Sequence, residues 1–244
     1  MRRIASGLLL VLTTMLVGLP SCTARPGSSS LQQAMQLRAP TGAPALWAVA
    51  PLANESGTTA VDRVHITDLL TEQLQQVQGI NTVPVNRVLL AMQTLRIRSI
   101  ATAEQASRIM DVLGIDGLVV GTITSWDPYQ PPKLGLAVQL FTAMDAPAHV
   151  IPDPQSMRTA TTETPQQPAP ARAMAQAAGI WDASNHHTLA TLQSYAQGRT
   201  RLNSAYGPDL HLVDMDLYTQ FVAYQLVKKL LRDEQNRLTA ASTP

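Results

Sequence analysis

Between Asp116 and Ser125 the chain places Leu118, Val119, Val120 and Ile123, so an extended segment here is apolar on both faces. A strand of that kind is buried from above and below. It reads as a central strand of the sheet. Leu46 to Leu52 is a second short apolar run with the same reading, ending in the polar loop Asn54-Glu55-Ser56-Gly57.

Helical periodicity fills the space between these runs. Ile66, Leu69, Leu70, Leu74 and Val77 form one stripe and predict a helix from about Ala60 to Gln78, with Gly79 as its C′ residue. Ile80 to Val85 is rich in β-branched residues, and Pro84 makes it an edge strand or a strand end. Asn86 is placed to cap a second helix carrying Val88, Leu89, Met92 and Leu95. Thr102 and Gln105 have capping-box spacing for a third, which Gly114 ends.

Leu134 to Ala143 reads as another strand, joined to the first run by the Pro-rich turn 126–132 and therefore its antiparallel neighbour. Residues 145–170 hold six prolines and read as an extended or disordered loop. Ala173 to Ala183 reads as a final strand, although its alanines also permit helix, and a short helix follows from about Thr188 to Gln197. The last element is a helix from Asp214 to about Arg237. Its stripe is Leu217, Phe221, Tyr224, Val227 and Leu231, with acids at its start and Lys228, Lys229 and Arg232 near its end. That stripe is core-facing, with a partner surface as the alternative. The fold class is α/β (α+β): a mixed sheet of about four to five strands flanked by helices, with a long C-terminal amphipathic helix.

The amino terminus is a separate kind of signal. Arg2 and Arg3 precede an apolar run from Ile4 to Leu19, and small Ser21 comes before Cys22, the only cysteine. This order is a secretory signal with a cleavage site. At about 16 residues the run is short of the ~20 that an anchor helix needs. The ending Leu19-Pro20-Ser21-Cys22 resembles a bacterial lipobox, in which cleavage falls between Ser21 and Cys22. The Cys22 thiol takes a diacylglyceryl group, and its amine, once freed by cleavage, an acyl chain such as palmitate. Two or more chains make such an anchor stable, at ~0.8 kcal/mol per buried CH₂. Thr23, not Asp, follows the cysteine, which by resemblance to Gram-negative sorting places the protein on the periplasmic face of the outer membrane. The organisation expected is a signal peptide at 1–21, a Pro/Gly/Ser-rich tether at 22–44, and one domain at 45–238 containing the 145–170 loop.

Composition removes several functions. Lys and Arg number 18 against 17 acids, so the charge offers no field for nucleic acid or for a polybasic membrane contact. With Cys22 lipidated, no thiol is left for disulfide, metal or redox chemistry. The sequence has no glycine-rich phosphate loop and no Gly-x-Ser-x-Gly elbow. His186-His187 are adjacent and so point apart, which favours an exposed turn over a metal site. Asp209, His211 and Asp214 are close in sequence but lie in an apparent loop, and Asp182 reads as a turn residue. No catalytic residue, metal or cofactor is assigned.

Two segments carry a family resemblance. Val49-Ala50-Pro51-Leu52-Ala53-Asn54-Glu55-Ser56-Gly57 resembles the opening strand and loop of bacterial envelope proteins such as the TolB amino-terminal domain, the curli secretion-channel subunit and the lipoprotein activators of penicillin-binding proteins. The segment from Val112 to Ile123, with Leu113-Gly114-Ile115-Asp116 and Gly121, is similar to their second signature. The resemblance covers about residues 46–143 and implies a fold more than an activity. It implies a membrane-anchored accessory or scaffold lipoprotein in envelope assembly, not an enzyme, with an envelope protein as partner. One alternative is a ring-forming secretion subunit, hence an oligomer, although the prolines of 145–170 do not suit barrel strands. Another is a periplasmic ligand-binding protein or hydrolase. The candidate binding loop is Asn54, Glu55, Ser56 and Gly57, against a plain turn. The candidate interface is Trp126 and Tyr129, against a hairpin turn packed on its own strands.

Overall fold

A computed structural model describes residues 36–40, 42–142, 175–197, 199 and 205–241. The signal peptide, Ser21, Cys22, most of the tether and the 145–170 loop lie outside the described residues. The strands are β1 (Ala45–Val49), β2 (Ala53–Asn54), β3 (Ile80–Val83), β4 (Gly117–Asp127), β5 (Lys133–Thr142) and β6 (Gln176–Asp182). The helices are α1 (Arg63–Gln75), α2 (Val85–Thr94), α3 (Ala103–Leu113), α4 (His186–Ala196), α5 (Leu210–Val213) and α6 (Met215–Ala241), with a 3₁₀ turn at Gly207–Asp209.

The sheet is mixed, in the order β3-β1-β4-β5-β6, with β2 also on β4. β1 lies parallel to β3 and β4, while β4, β5 and β6 form an antiparallel meander. Each face carries its own core, as the two-faced apolar strand β4 requires. Val119 and Ile123 point to the larger core, with Trp47, Leu70, Leu74, Tyr218 and Phe221 under α1, α4 and α6. Leu118 points to a smaller core with Ala48, Val88, Met92, Ile109 and Phe141 under α2 and α3.

Local chemistry sets the helix ends. Asp62 caps α1, its Oδ1 accepting from the Val64 and His65 N–H groups at 3.1 and 3.0 Å. The helix stops at Gln75, before the expected Gln78, because Gln78 pairs with Arg38. Gly79 (φ +87°) is therefore not the C′ residue but turns the chain into β3. Pro84 ends β3 and itself stands at the N-cap of α2, so Asn86 is the second helical residue and not the cap. The Thr102–Gln105 capping box forms as expected, and Gly114 adopts the left-handed cap at φ +62°.

α6 departs from a one-stripe helix. Phe221, Tyr224, Val227 and Leu231 are buried, but so are Tyr218, Val222, Ala223, Leu226 and Leu230, while Leu217 is only half-buried. The sheet lies on one side of α6 and α1 packs along another, so the buried surface exceeds a single stripe. Asp214 caps this helix through the Asp216 and Leu217 N–H groups at 2.9 and 3.2 Å.

Candidate binding surfaces

The two segments that carry the sequence resemblance lie side by side. Val49 pairs with Val119 and Asn54 with Ile123, so the loop 54–57 leaves the sheet next to the second half of β4. Asn54 is committed to the turn: its Oδ1 accepts from the Ser56 N–H at 3.0 Å and hydroxyl at 2.6 Å, and its Nδ2 donates to the Thr58 carbonyl at 2.7 Å. Gly57 has φ +80°, a conformation that favours glycine. Glu55 differs from its neighbours, because it lines a cleft of about 350 Å³ with Thr102, Thr122, Gln139 and Gln176, floored by Ala137 and Phe141. Among the described residues the helical layer runs out here. α2 and α3 cover β1, β4 and the Phe141 end of β5, whereas Ala178 and Ile180 on β6 are exposed. At Gly121 an added Cβ would run into the Ala137 carbonyl and Val138, so glycine is what lets β4 and β5 approach.

Trp126 and Tyr129 differ in exposure. The β4–β5 register shifts between Ile123 and Ser125. That extra residue turns Trp126 to the larger core, where it is half-buried. Tyr129 sits on the hairpin tip and is 80% exposed, with its N–H donating to Asp127.

The titratable candidates are spread apart. His186 and His187 are the exposed first residues of α4, capped by Asn185. His211 is buried with its ring edge-on to Tyr195, whereas Asp214 caps α6. Asp182 pairs with Lys133 across β5 and β6 at 2.7 Å and accepts from the Ser184 N–H and hydroxyl. The Lys133 ammonium, followed by the two Ser184 donors, holds its carboxyl down at about 2. Among the described residues no group of three or more His, Cys, Asp or Glu is placed to hold a metal ion, and no helix is long and apolar enough to cross a membrane.

One surface was not anticipated from the sequence. A groove of about 410 Å³ lies between α2, α3 and the β1–β3 side of the sheet, lined by Leu46, Val83, Leu90, Val112 and Leu113, with Arg87 at its rim. Leu90 and Val112 are 57% and 54% exposed. The available signal was their position off the apolar stripes of α2 and α3. A second unanticipated feature is Arg96, the one described non-glycine residue with positive φ, at 57°.

No protein-family model matches the chain, and no curated protein matches it. Among solved structures, the chain is similar to the LpoB C-terminal domain from Salmonella enterica, at 17% identity and a TM-score of 0.36, covering 48% of this chain and 84% of that one. It is similar to lipoprotein GNA1162 from Neisseria meningitidis at 16% identity and a TM-score of 0.35, covering 64% and 97%. It is also similar to the PelC dodecamer from Paraburkholderia phytofirmans at 14% identity and a TM-score of 0.28, covering 45% and 69%.

Proposed function

We propose that this chain is a lipid-anchored accessory or scaffold protein of the bacterial cell envelope that acts by binding another protein rather than by catalysis. The observation that carries this reading is Leu19-Pro20-Ser21-Cys22 at the end of the apolar run, with Cys22 the only thiol in the chain. The paired segments 49–57 and 112–123 support it by their sequence resemblance to envelope accessory proteins. The mechanism is confinement plus docking. The lipid holds the domain at the periplasmic face of the outer membrane, and a tether of about 22 residues spans ~25 Å as a random coil. Docking onto a partner within that reach becomes effectively intramolecular.

Photo-crosslinkers placed at Tyr129, Gln139 and Leu90 in intact cells test the reading, with the adducts identified by mass spectrometry. One reproducible envelope partner is expected. Adducts at none of the three positions would overturn it. Metabolic labelling with palmitate tests the anchor separately, and should mark the wild type but not Cys22→Ser.

A second reading has one specific observation in its favour. The cleft beside Glu55 combines polar groups with an apolar lining and is large enough for a small ligand. Glu55→Gln would then abolish binding of a small periplasmic solute in a thermal-shift screen while leaving the crosslinks intact.

A further inference from the structure

We propose that the groove between α2, α3 and strand β3 takes an acidic, apolar segment of a protein partner, laid along the open edge of β3. The proposal rests on the protein-binding reading above and names the surface and its ligand chemistry.

The groove has two properties of a peptide site. Its walls are apolar, and Leu90 and Val112 stand more than half exposed on facing helices. Its lining includes Val83, the last residue of β3, which is the edge strand of the sheet among the described residues; residues 37–39 pair with Gln78 just before β3, so the unpaired part of that edge is the Val83 end. An open strand edge beside an apolar groove offers main-chain hydrogen bonds and side-chain pockets together, which is how extended peptides are recognised. A bilayer surface would meet neither the concavity nor the strand edge.

Charge chooses the ligand. Residues 73–103 contain Arg87, Arg96 and Arg98 and no Asp or Glu, in a chain whose formal charge is only +1. All three arginines are exposed. Arg87 lines the groove, and Arg96 and Arg98 follow Thr94, which lines it too. Of the nearby acids, Glu104 pairs with Arg108 at 3.2 Å, whereas Asp116 keeps its charge on the β1 side of the groove, accepting from the Leu46 N–H at 2.7 Å. Asp111 precedes Val112 on α3, which confines the positive charge to the α2 side.

Arg96 adds an independent indication. The Ile97 N–H reaches back to the Met92 carbonyl at 2.8 Å, closing α2 so that residue 96 takes the left-handed conformation. Glycine suits that position and arginine is strained there. Arg96 thus places an exposed cation, held in a strained conformation, two residues beyond Thr94 of the groove lining.

The test uses the full chain in mild detergent with three probes: a short peptide alternating leucine and glutamate, its lysine counterpart, and phosphatidylglycerol vesicles. Fluorescence anisotropy should show the glutamate peptide binding about tenfold more tightly than the lysine peptide, and weakening as salt rises. Leu90→Asn, and separately Arg87→Gln with Arg98→Gln, should each weaken it about tenfold, the loss of several exposed charge contacts or one apolar anchor. Arg96→Gly should raise Tm yet weaken the peptide about threefold, so lost binding cannot be lost folding. Equal binding of the two peptides, binding of neither, unchanged binding by Arg96→Gly, or capture of vesicles in place of the peptide would each overturn the proposal. Failure here with crosslinks persisting from Tyr129 or Gln139 rejects the groove and leaves the accessory role standing.

Discussion

The Gln176 N–H donates to the Asp233 carboxylate at 2.8 Å, so a side chain of α6 closes the edge of strand β6 that pairs with no other strand among the described residues. Lys229 donates to the Ala178 carbonyl on the same strand, and the Tyr218 hydroxyl to the Trp181 carbonyl at 2.9 Å. Open edges recruit other strands, and charged side chains laid over them prevent this. Asp233→Ala should lower stability by about 1–2 kcal/mol in urea unfolding, the cost of a lost charged acceptor. It should also bring concentration-dependent association in gel filtration, while Asp233→Asn, which keeps an acceptor, should not. A monomeric alanine variant with an unchanged midpoint would show that the edge needs no such guard.

A second contact of α6 makes stability depend on pH. His65 Nε2 lies 2.9 Å from Asp216 Oδ1, tying the first turn of α1 to that of α6. The hydrogen bond to Asp216 raises the imidazole above its ordinary value, partly offset by burial, with smaller contributions from the Asp216, Asp62 and Asp68 charges. The charged form is therefore favoured in the folded state. The added stability is fully present below about pH 6.5 and is lost as pH rises through the raised folded value. Both side chains are about half exposed, at 47% and 58%, so water screens the pair. Relative to His65→Gln, the wild type should lose at most about 1 kcal/mol between about pH 5.5 and pH 9, and less in high salt. A difference that grew with pH would contradict this pairing.

Two glycines should respond to substitution for different reasons. Gly114 has φ +62° with open space where a Cβ would go, so Gly114→Asn, which tolerates that conformation, should cost no more than about 1 kcal/mol. Gly121 is crowded by the Ala137 carbonyl and Val138, so Gly121→Asn should cost about 1–3 kcal/mol by forcing β4 from β5. Urea unfolding of the two variants side by side tests the contrast, and equal costs would refute it.

What could be read from the sequence was local. The Thr102–Gln105 box, the Gly114 cap, the two-faced strand β4 and the short link to β5 depend on neighbouring residues, and all formed. What escaped depends on contacts distant along the chain or on single-residue slips. One extra residue between Ile123 and Ser125 reversed the side on which Trp126 lies. Gln78 left α1 because Arg38, forty residues earlier, pairs with it. The burial around α6 required knowing that α1 and the sheet flank it. The surface sites were legible only in part. Asn54 and Ser56 were recognisable as turn formers, but nothing local distinguished Glu55 as the one that reaches a cleft. The off-stripe positions of Leu90 and Val112 became meaningful only once α2 and α3 stood beside β3.

Near the end of α6, Glu234 is 3% exposed and its carboxylate takes two bonds from Arg237, at 2.7 Å to Nε and 2.8 Å to Nη2. A bidentate pair of this kind satisfies a buried acid, but its net stabilisation is small, because both ions lose water to form it. Removing one partner differs from removing both. Arg237→Met leaves the carboxylate buried without its cation and should destabilise by about 3–5 kcal/mol. Arg237→Met combined with Glu234→Leu removes both charges and fills the space, so it should recover most of that loss. The cycle is read by urea unfolding of the two singles and the double at neutral pH. If the double variant were as unstable as Arg237→Met alone, the arginine would be acting through contacts other than Glu234, and the account of this pair would fail.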